Sequence, residues 1–81
     1  MENPEITAYV ALGANLGDAR RAVREAMDAI HGLPATRVTR RSSLYRTTPV
    51  DATGPDYINA VIELQTALSA PVLLDALQAL E

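Results

Sequence analysis

A segment near the end of the chain, "YINAVIELQT" at positions 57–66, alternates between two classes of side chain. The even positions from 58 to 64 are all aliphatic, namely Ile58, Ala60, Ile62 and Leu64. Successive side chains of a β-strand point to opposite faces, so we expect a strand whose aliphatic face packs on helices. Tyr57 and Asn59 then share the opposite face, together with Val61, Glu63 and Gln65.

Shorter patterns predict the elements that precede this strand. "ITAYVALGAN" is an apolar run typical of a buried strand, and residues 36 to about 48 predict a long, irregular strand, bulged or bent near "RRSS". Between them a helix is predicted, with Asp18 or Gly17 at its N-cap and Gly32 just past its end. Its apolar stripe comprises Ala19, Ala22, Val23, Ala26, Met27 and Ile30.

A second helix is predicted in "LSAPVLLDALQALE", with Ser69 as N-cap and Pro71 in the first turn. Its apolar stripe comprises Leu73, Ala76, Leu77 and Leu80. The order βαββα predicts an α+β protein, and one more strand would complete a β-α-β-β-α-β unit. We therefore expect a ferredoxin-like βαββα(β) sandwich, truncated after the second helix.

Composition restricts the classes of function. The 81 residues suffice for one domain, and they include no cysteine, which excludes disulfides and thiolate metal sites. A net charge of −3 argues against general nucleic-acid binding. We find neither a membrane-spanning apolar stretch nor a signal peptide, so we expect a cytoplasmic protein with no nucleic-acid or membrane partner.

The first helix carries most of the remaining charge. Spacing predicts the ion pairs Arg21–Glu25 and Arg24–Asp28 on its solvent side. His31 lies in the last turn, where a cation complements the helix dipole, and too few potential ligands surround it for a metal site. The turn "GANLGD" either presents backbone N–H groups to a phosphate or is an ordinary strand–helix turn, and it lacks the glycine spacing of a phosphate-binding fingerprint.

The pair Tyr57 and Asn59 admits two interpretations. An aromatic ring beside an amide suits a flat, polar heterocycle, since the ring stacks while the amide offers a donor and an acceptor. A strand with one solvated face also carries such residues without any ligand. The pattern alone leaves both open. Nothing in the chain forms a nucleophile–base pair or a metal-binding carboxylate pair, so we expect its residues to bind rather than to react.

Three segments, "YVALGANLGD", "SSLYRTTPV" and "PDYINAVIEL", resemble the N-terminal half of the 6-hydroxymethyl-7,8-dihydropterin pyrophosphokinase family. The resemblance extends across essentially all 81 residues. It implies transfer of a pyrophosphoryl group from ATP to the pterin hydroxymethyl group, with release of AMP, in folate biosynthesis. Residues 1–81 would then be the N-terminal part of a single domain, monomeric when complete.

The resemblance also implies roles for individual residues. Tyr57 would stack on the pterin, Asn59 would hydrogen-bond its guanine-like edge, and Thr47 and Val50 would add polar contacts, partly through the backbone. The positions expected to contact the nucleotide are Gln78 and Glu81. Two Mg²⁺ ions would be held by an Asp-x-Asp pair beyond residue 81, so no catalytic or metal-binding residue is expected in this chain, and we expect it to be inactive alone.

A rival interpretation is a βαββα binding or interaction module without catalysis, because such units serve many unrelated functions. An incomplete sheet with open edges would then pair with another chain. This interpretation predicts a self-sufficient boundary near residue 81 and no selective affinity for a pterin.

Overall fold

The computed structural model describes residues 4–51 and 53–80. These residues form an antiparallel sheet of four strands and two helices, which confirms the predicted α+β class. The elements are β1 (Ile6–Ala14), α1 (Ala19–His31), β2 (Thr36–Arg41), β3 (Tyr45–Thr47), β4 (Tyr57–Thr66) and α2 (Ala70–Ala79).

Strand β4 is the centre of the sheet. β1 pairs along one of its edges, from Ile6 opposite Thr66 to Ala14 opposite Ile58. β2 and β3 follow one another along the other edge. Between them, the main-chain N–H of Ser42 donates to the carbonyl oxygen of Val61 at 2.9 Å, and the Ser42 hydroxyl accepts from the Val61 N–H at 2.8 Å. β2 and β3 therefore act as one interrupted strand.

The irregularity predicted for residues 36–48 is confirmed and has two parts. The register against β4 shifts between Val38 and Arg40, so that Thr39 is the extra residue of a bulge. The second part is the gap at residues 42–44, which falls in the "RRSS" region where a bend was expected.

The core lies between the aliphatic face of β4 and the helices. Its buried members are Val23, Met27, Ile30, Ile58, Ala60, Ile62, Leu64 and Leu73. Ile62 and Leu64 have no exposed surface, as expected for alternate residues of a central strand. Both predicted helical stripes face this core, although Ala22 and Leu80 at their margins are exposed.

The two helices begin differently. The Asp18 carboxylate accepts from the Arg21 N–H at 3.1 Å, which confirms it as the N-cap of α1. Ser69 occupies the predicted N-cap position of α2, but its side chain makes no capping hydrogen bond. Across the residues that the structure describes, neither helix is long and apolar enough to cross a membrane.

Candidate functional site

The sheet face turned away from the helices carries exposed aromatic residues. All three tyrosines of the chain lie on it: Tyr57 on β4, Tyr45 opposite Asn59 on β3, and Tyr9 opposite Glu63 on β1. Their exposed fractions are 39% for Tyr57, 57% for Tyr45 and 68% for Tyr9. We call this surface the open face. The prediction that Tyr57 and Asn59 share the face opposite the core is confirmed.

The Asn59 side chain lies across the open face. Its Nδ2 donates to the Thr47 hydroxyl on β3 at 2.7 Å. On the other side, Asn59 is paired with Gly13 of β1, and a Cβ built on Gly13 would lie 3.1 Å from Asn59 Oδ1. Three of the predicted site residues, Thr47, Tyr57 and Asn59, therefore lie together, since Thr47 also pairs with Tyr57.

Sequence reasoning missed Gly13 as part of this site. The available signal was a glycine inside a strand, which often marks a place where another group approaches the backbone closely. The glycine was instead interpreted as part of the turn "GANLGD" between the strand and the helix.

The loop between β3 and β4 carries another of the predicted site residues. Val50, a predicted contact residue, has a fully exposed side chain. Asp51 accepts a hydrogen bond from the Thr53 N–H at 3.1 Å. This bond indicates a local turn. It also holds the pKa of the Asp51 carboxyl below its ordinary value. The exposed Val50 side chain is thus not packed against other residues, and its contact with a ligand stays a prediction.

Another polar cluster lies farther along the open face, and no pattern in the sequence had indicated it. The Tyr9 hydroxyl donates to Glu63 Oε2 at 2.9 Å, and the Thr39 hydroxyl donates to Glu63 Oε1 at 2.9 Å. The bond from Thr39, followed by that from Tyr9, lowers the pKa of Glu63. The same contact with Glu63 raises the pKa of Tyr9. The cluster joins β1, β2 and β4.

Comparison with known proteins relates this arrangement to a family. Residues 9–81 match the family model described as 7,8-dihydro-6-hydroxymethylpterin-pyrophosphokinase. The chain belongs to this family. Among its curated relatives are two proteins named 2-amino-4-hydroxy-6-hydroxymethyldihydropteridine pyrophosphokinase. The protein from Pseudomonas aeruginosa is 46% identical over 74 residues, and the one from Haemophilus influenzae is 43% identical over 77 residues.

The lengths of these pyrophosphokinases differ from that of the chain. The match covers 90% of the chain but 46% of the P. aeruginosa protein, and 94% of the chain but 48% of the H. influenzae protein. The chain thus spans about half the length of these relatives. A match to the folic acid synthesis protein fol1 of Schizosaccharomyces pombe is 33% identical over 75 residues, covering 91% of the chain and 10% of that protein.

Gln78, one of the two predicted nucleotide residues of this pyrophosphokinase-family chain, lies apart from the open face. Gln78 is exposed on α2, in the helix layer, and Glu81 lies outside the described residues. Gln78 borders an apolar groove of about 490 Å³ between α1, α2 and β1. The structure thus separates the one described nucleotide position from Tyr57 and Asn59, and it leaves both nucleotide assignments as predictions.

One expectation for α1 needs correction. Arg21 pairs with Glu25 at 2.9 Å as predicted, but Asp28 pairs with Arg41 of β2 at 3.1 Å. A strand that packs beside the helix thus supplies the cation expected from Arg24.

His31 lies in the last turn of α1 as predicted. Its Nδ1 accepts the Val38 main-chain N–H at 2.9 Å. The imidazole thus bonds to β2, a contact that its position in the helix had not indicated.

Proposed function

We propose that the chain carries the pterin-binding part of a 6-hydroxymethyl-7,8-dihydropterin pyrophosphokinase in folate biosynthesis. The observation that carries this proposal is the placement of Tyr57 and Asn59 together on the uncovered open face, in a chain of this family. The relatives are named for the same substrate and reaction. Residues 1–81 are then the first part of one ferredoxin-like domain, in which a further strand pairs with the free edge of β1.

Each residue of the cluster has a distinct part in the proposed binding. The Tyr57 ring stacks on the flat face of the pterin, and the Asn59 amide bonds to its polar edge. Because the side chain of Val50 is fully exposed and packs against no neighbour, we expect any contribution of this loop to come through its backbone or after a change of its conformation. Gln78 of α2 binds the nucleotide, together with Glu81.

The described residues of this chain form no cluster of ligands for a magnesium ion. Within residues 4–51 and 53–80, no three acidic, histidine or cysteine side chains are close enough together to hold a metal ion. No catalytic step through Mg²⁺ follows from these residues. In the proposed enzyme the ions and their aspartates belong to the part beyond residue 81, and this chain supplies binding and orientation of the pterin.

Calorimetric titration of the chain with 6-hydroxymethylpterin tests the proposal. We expect saturable binding that Tyr57→Ala weakens by about 1 kcal/mol or more, since stacking is lost. Tyr9→Ala is the matched control, because it removes a tyrosine from the same face beside Glu63 instead of Asn59. Equal affinity of the wild-type chain and Tyr57→Ala for 6-hydroxymethylpterin would contradict the assignment of Tyr57 to pterin stacking. If the wild-type chain does not bind, the non-catalytic interaction module becomes the better interpretation.

We also propose that the chain alone does not catalyse the reaction. With ATP, Mg²⁺ and 6-hydroxymethyl-7,8-dihydropterin, the purified chain is expected to form no AMP above the rate without protein. The physical reason is that phosphoryl-type transfer depends on metal ions that neutralise the developing charge. Chromatographic measurement of AMP decides the matter, and AMP formation that the Tyr57→Ala variant loses would show that the chain is sufficient.

A further inference from the structure

Gly13 has no conformational reason to be a glycine. Gly17 and Gly54 have positive φ angles of 59° and 76°, which other residues adopt only with strain. Gly13 instead lies inside β1, in register with Asn59, and its φ is not in the left-handed region. Glycine weakens a strand interior, so the position needs another explanation.

Space beside Asn59 supplies that explanation. A Cβ on Gly13 would lie 3.1 Å from Asn59 Oδ1, which is closer than the ordinary contact distance between these atoms, while its next neighbour, the Ile58 carbonyl oxygen, would be at 3.9 Å. A side chain at position 13 would therefore clash first with the side-chain oxygen Oδ1 of Asn59. An added methyl group would force the amide to move.

Thr47 fixes the other end of the same amide. Its hydroxyl accepts from Asn59 Nδ2 at 2.7 Å. Because the amide group is planar, holding the nitrogen over β3 directs the oxygen toward β1, where Gly13 leaves room. Asn59 then retains one N–H and an acceptor oxygen for a ligand.

We propose that Gly13 and Thr47 are positioning residues, which hold the Asn59 amide so that Oδ1 faces the space above β1 and accepts a hydrogen bond from an N–H on the edge of a planar heterocycle. The inference rests on the proposed function, because it names the chemistry by which that site reads its ligand. It adds a residue, Gly13, that contacts no ligand itself and acts through Asn59.

Four variants of the chain separate positioning from general damage. Gly13→Ala places the methyl group against Oδ1, and Thr47→Val removes the hydroxyl while keeping the branched shape. Thr47→Ser restores the hydroxyl. Gly32→Ala is the matched control, since its backbone φ of −83° suits alanine and it lies at the far end of α1.

Two measurements are made on each variant. The first is the ¹H–¹⁵N spectrum of the Asn59 side-chain amide, which reports the bond to Thr47 without any ligand. The second is the dissociation constant for 6-hydroxymethylpterin by calorimetry. We expect Gly13→Ala and Thr47→Val to shift the Asn59 amide signals and to weaken binding about tenfold, the effect of one lost hydrogen bond. Thr47→Ser and Gly32→Ala are expected to keep both the signals and the affinity of the wild-type chain.

The outcomes separate this inference from the proposed function. If the wild-type chain binds no pterin, the proposed function fails together with the ligand part of the inference, while the amide spectra still decide whether Gly13 and Thr47 position Asn59. If the chain binds and Gly13→Ala and Thr47→Val bind equally well, the positioning role is wrong. Should Gly13→Ala not fold, the comparison of Thr47→Val with Thr47→Ser decides between the two outcomes.

Discussion

Glu63 ties three strands together on the solvent side of the sheet. Its carboxylate accepts from Tyr9 of β1 and from Thr39 of β2, each at 2.9 Å. Thr39 reaches it because the bulge between Val38 and Arg40 leaves this residue without a partner in the ladder. An irregularity of one strand is thus used to bring a hydroxyl group onto a neighbouring carboxylate.

These bonds make the stability of the chain depend on pH in opposite ways. The folded-state pKa of Glu63 lies below its ordinary value of 4.5, so its contribution is present above that pH and is lost as the pH falls through the lower value. The pKa of Tyr9 is raised above 10.0, so its contribution is present below pH 10.0 and is lost as the pH rises through the higher value.

Glu63→Gln tests the acid side of this dependence. A glutamine cannot ionise, so we expect the variant to be less stable than the wild-type chain at neutral pH and to lose less stability on acidification. Urea unfolding between about pH 7 and about pH 3 gives the free energies. Glu25→Gln, which removes an exposed carboxylate of α1, is the control. Parallel pH curves for the wild-type chain and Glu63→Gln would contradict the assignment.

His31 and Asp28 have partners that the sequence did not predict. Both partners expected from the sequence were local: the dipole of the helix itself for His31 and Arg24 for Asp28. The observed partners, Val38 and Arg41, are seven and thirteen positions farther along the chain and come close only because β2 packs beside α1. Helical spacing cannot contain such contacts, since they depend on the path of the turn between the two elements.

The starts of the two helices provide a matched pair of elements. Asp18 accepts a main-chain N–H of α1 at 3.1 Å, whereas the Ser69 hydroxyl makes no such bond to α2. Asp and Ser have similar statistical preference for the N-cap. Preference therefore predicted both positions correctly but not which side chain makes the bond.

Alanine at each cap measures this difference. We expect Asp18→Ala to lower the free energy of unfolding by about 1 kcal/mol, because an N–H of the first turn loses its acceptor. Ser69→Ala removes no capping bond and is expected to change stability by no more than about 0.5 kcal/mol. Urea unfolding at neutral pH gives both values. A loss for Ser69→Ala as large as that for Asp18→Ala would mean that the serine caps the helix in solution.

Among the strands, periodicity was the informative signal. Alternation placed Tyr57 and Asn59 on one face because the side chains of every strand alternate in the same way. Alternation could not show that the strand is interrupted between β2 and β3. At the interruption, Ser42 bonds to the main chain of Val61 once through its own main chain and once through its side chain. Alternation also could not show that Thr47 would reach Asn59, a contact that depends on the register of β3.

The whole molecule is elongated, with extents of 50 × 22 × 20 Å, and it exposes apolar surface between its helices. The groove there is lined by aliphatic residues of β1, α1 and α2, and Leu74 and Leu80 at its rim are 55% and 44% exposed. Contiguous exposed apolar surface of this kind can bind an apolar molecule.

The dye anilinonaphthalene sulfonate should therefore fluoresce in the presence of the folded chain. We expect Leu74→Glu to lower this fluorescence, because it puts a charge at the rim of the groove. Val61→Glu makes the same change on the open face, where Val61 is 47% exposed, and is expected to leave the signal unchanged. A larger loss with Val61→Glu would locate the apolar binding surface on the sheet instead. Unfolding curves of both variants control for loss of structure.

The open face also determines the intrinsic fluorescence of the chain. The sequence has no tryptophan and no phenylalanine, and its three tyrosines, Tyr9, Tyr45 and Tyr57, all project from that one surface. The near-ultraviolet absorption and fluorescence of the protein therefore originate entirely there. A flat aromatic compound that binds beside Tyr57 would quench this fluorescence, whereas a molecule that binds only between the helices would leave the fluorescence unchanged. The tyrosine fluorescence of the unlabelled chain can thus show which of its two surfaces is occupied.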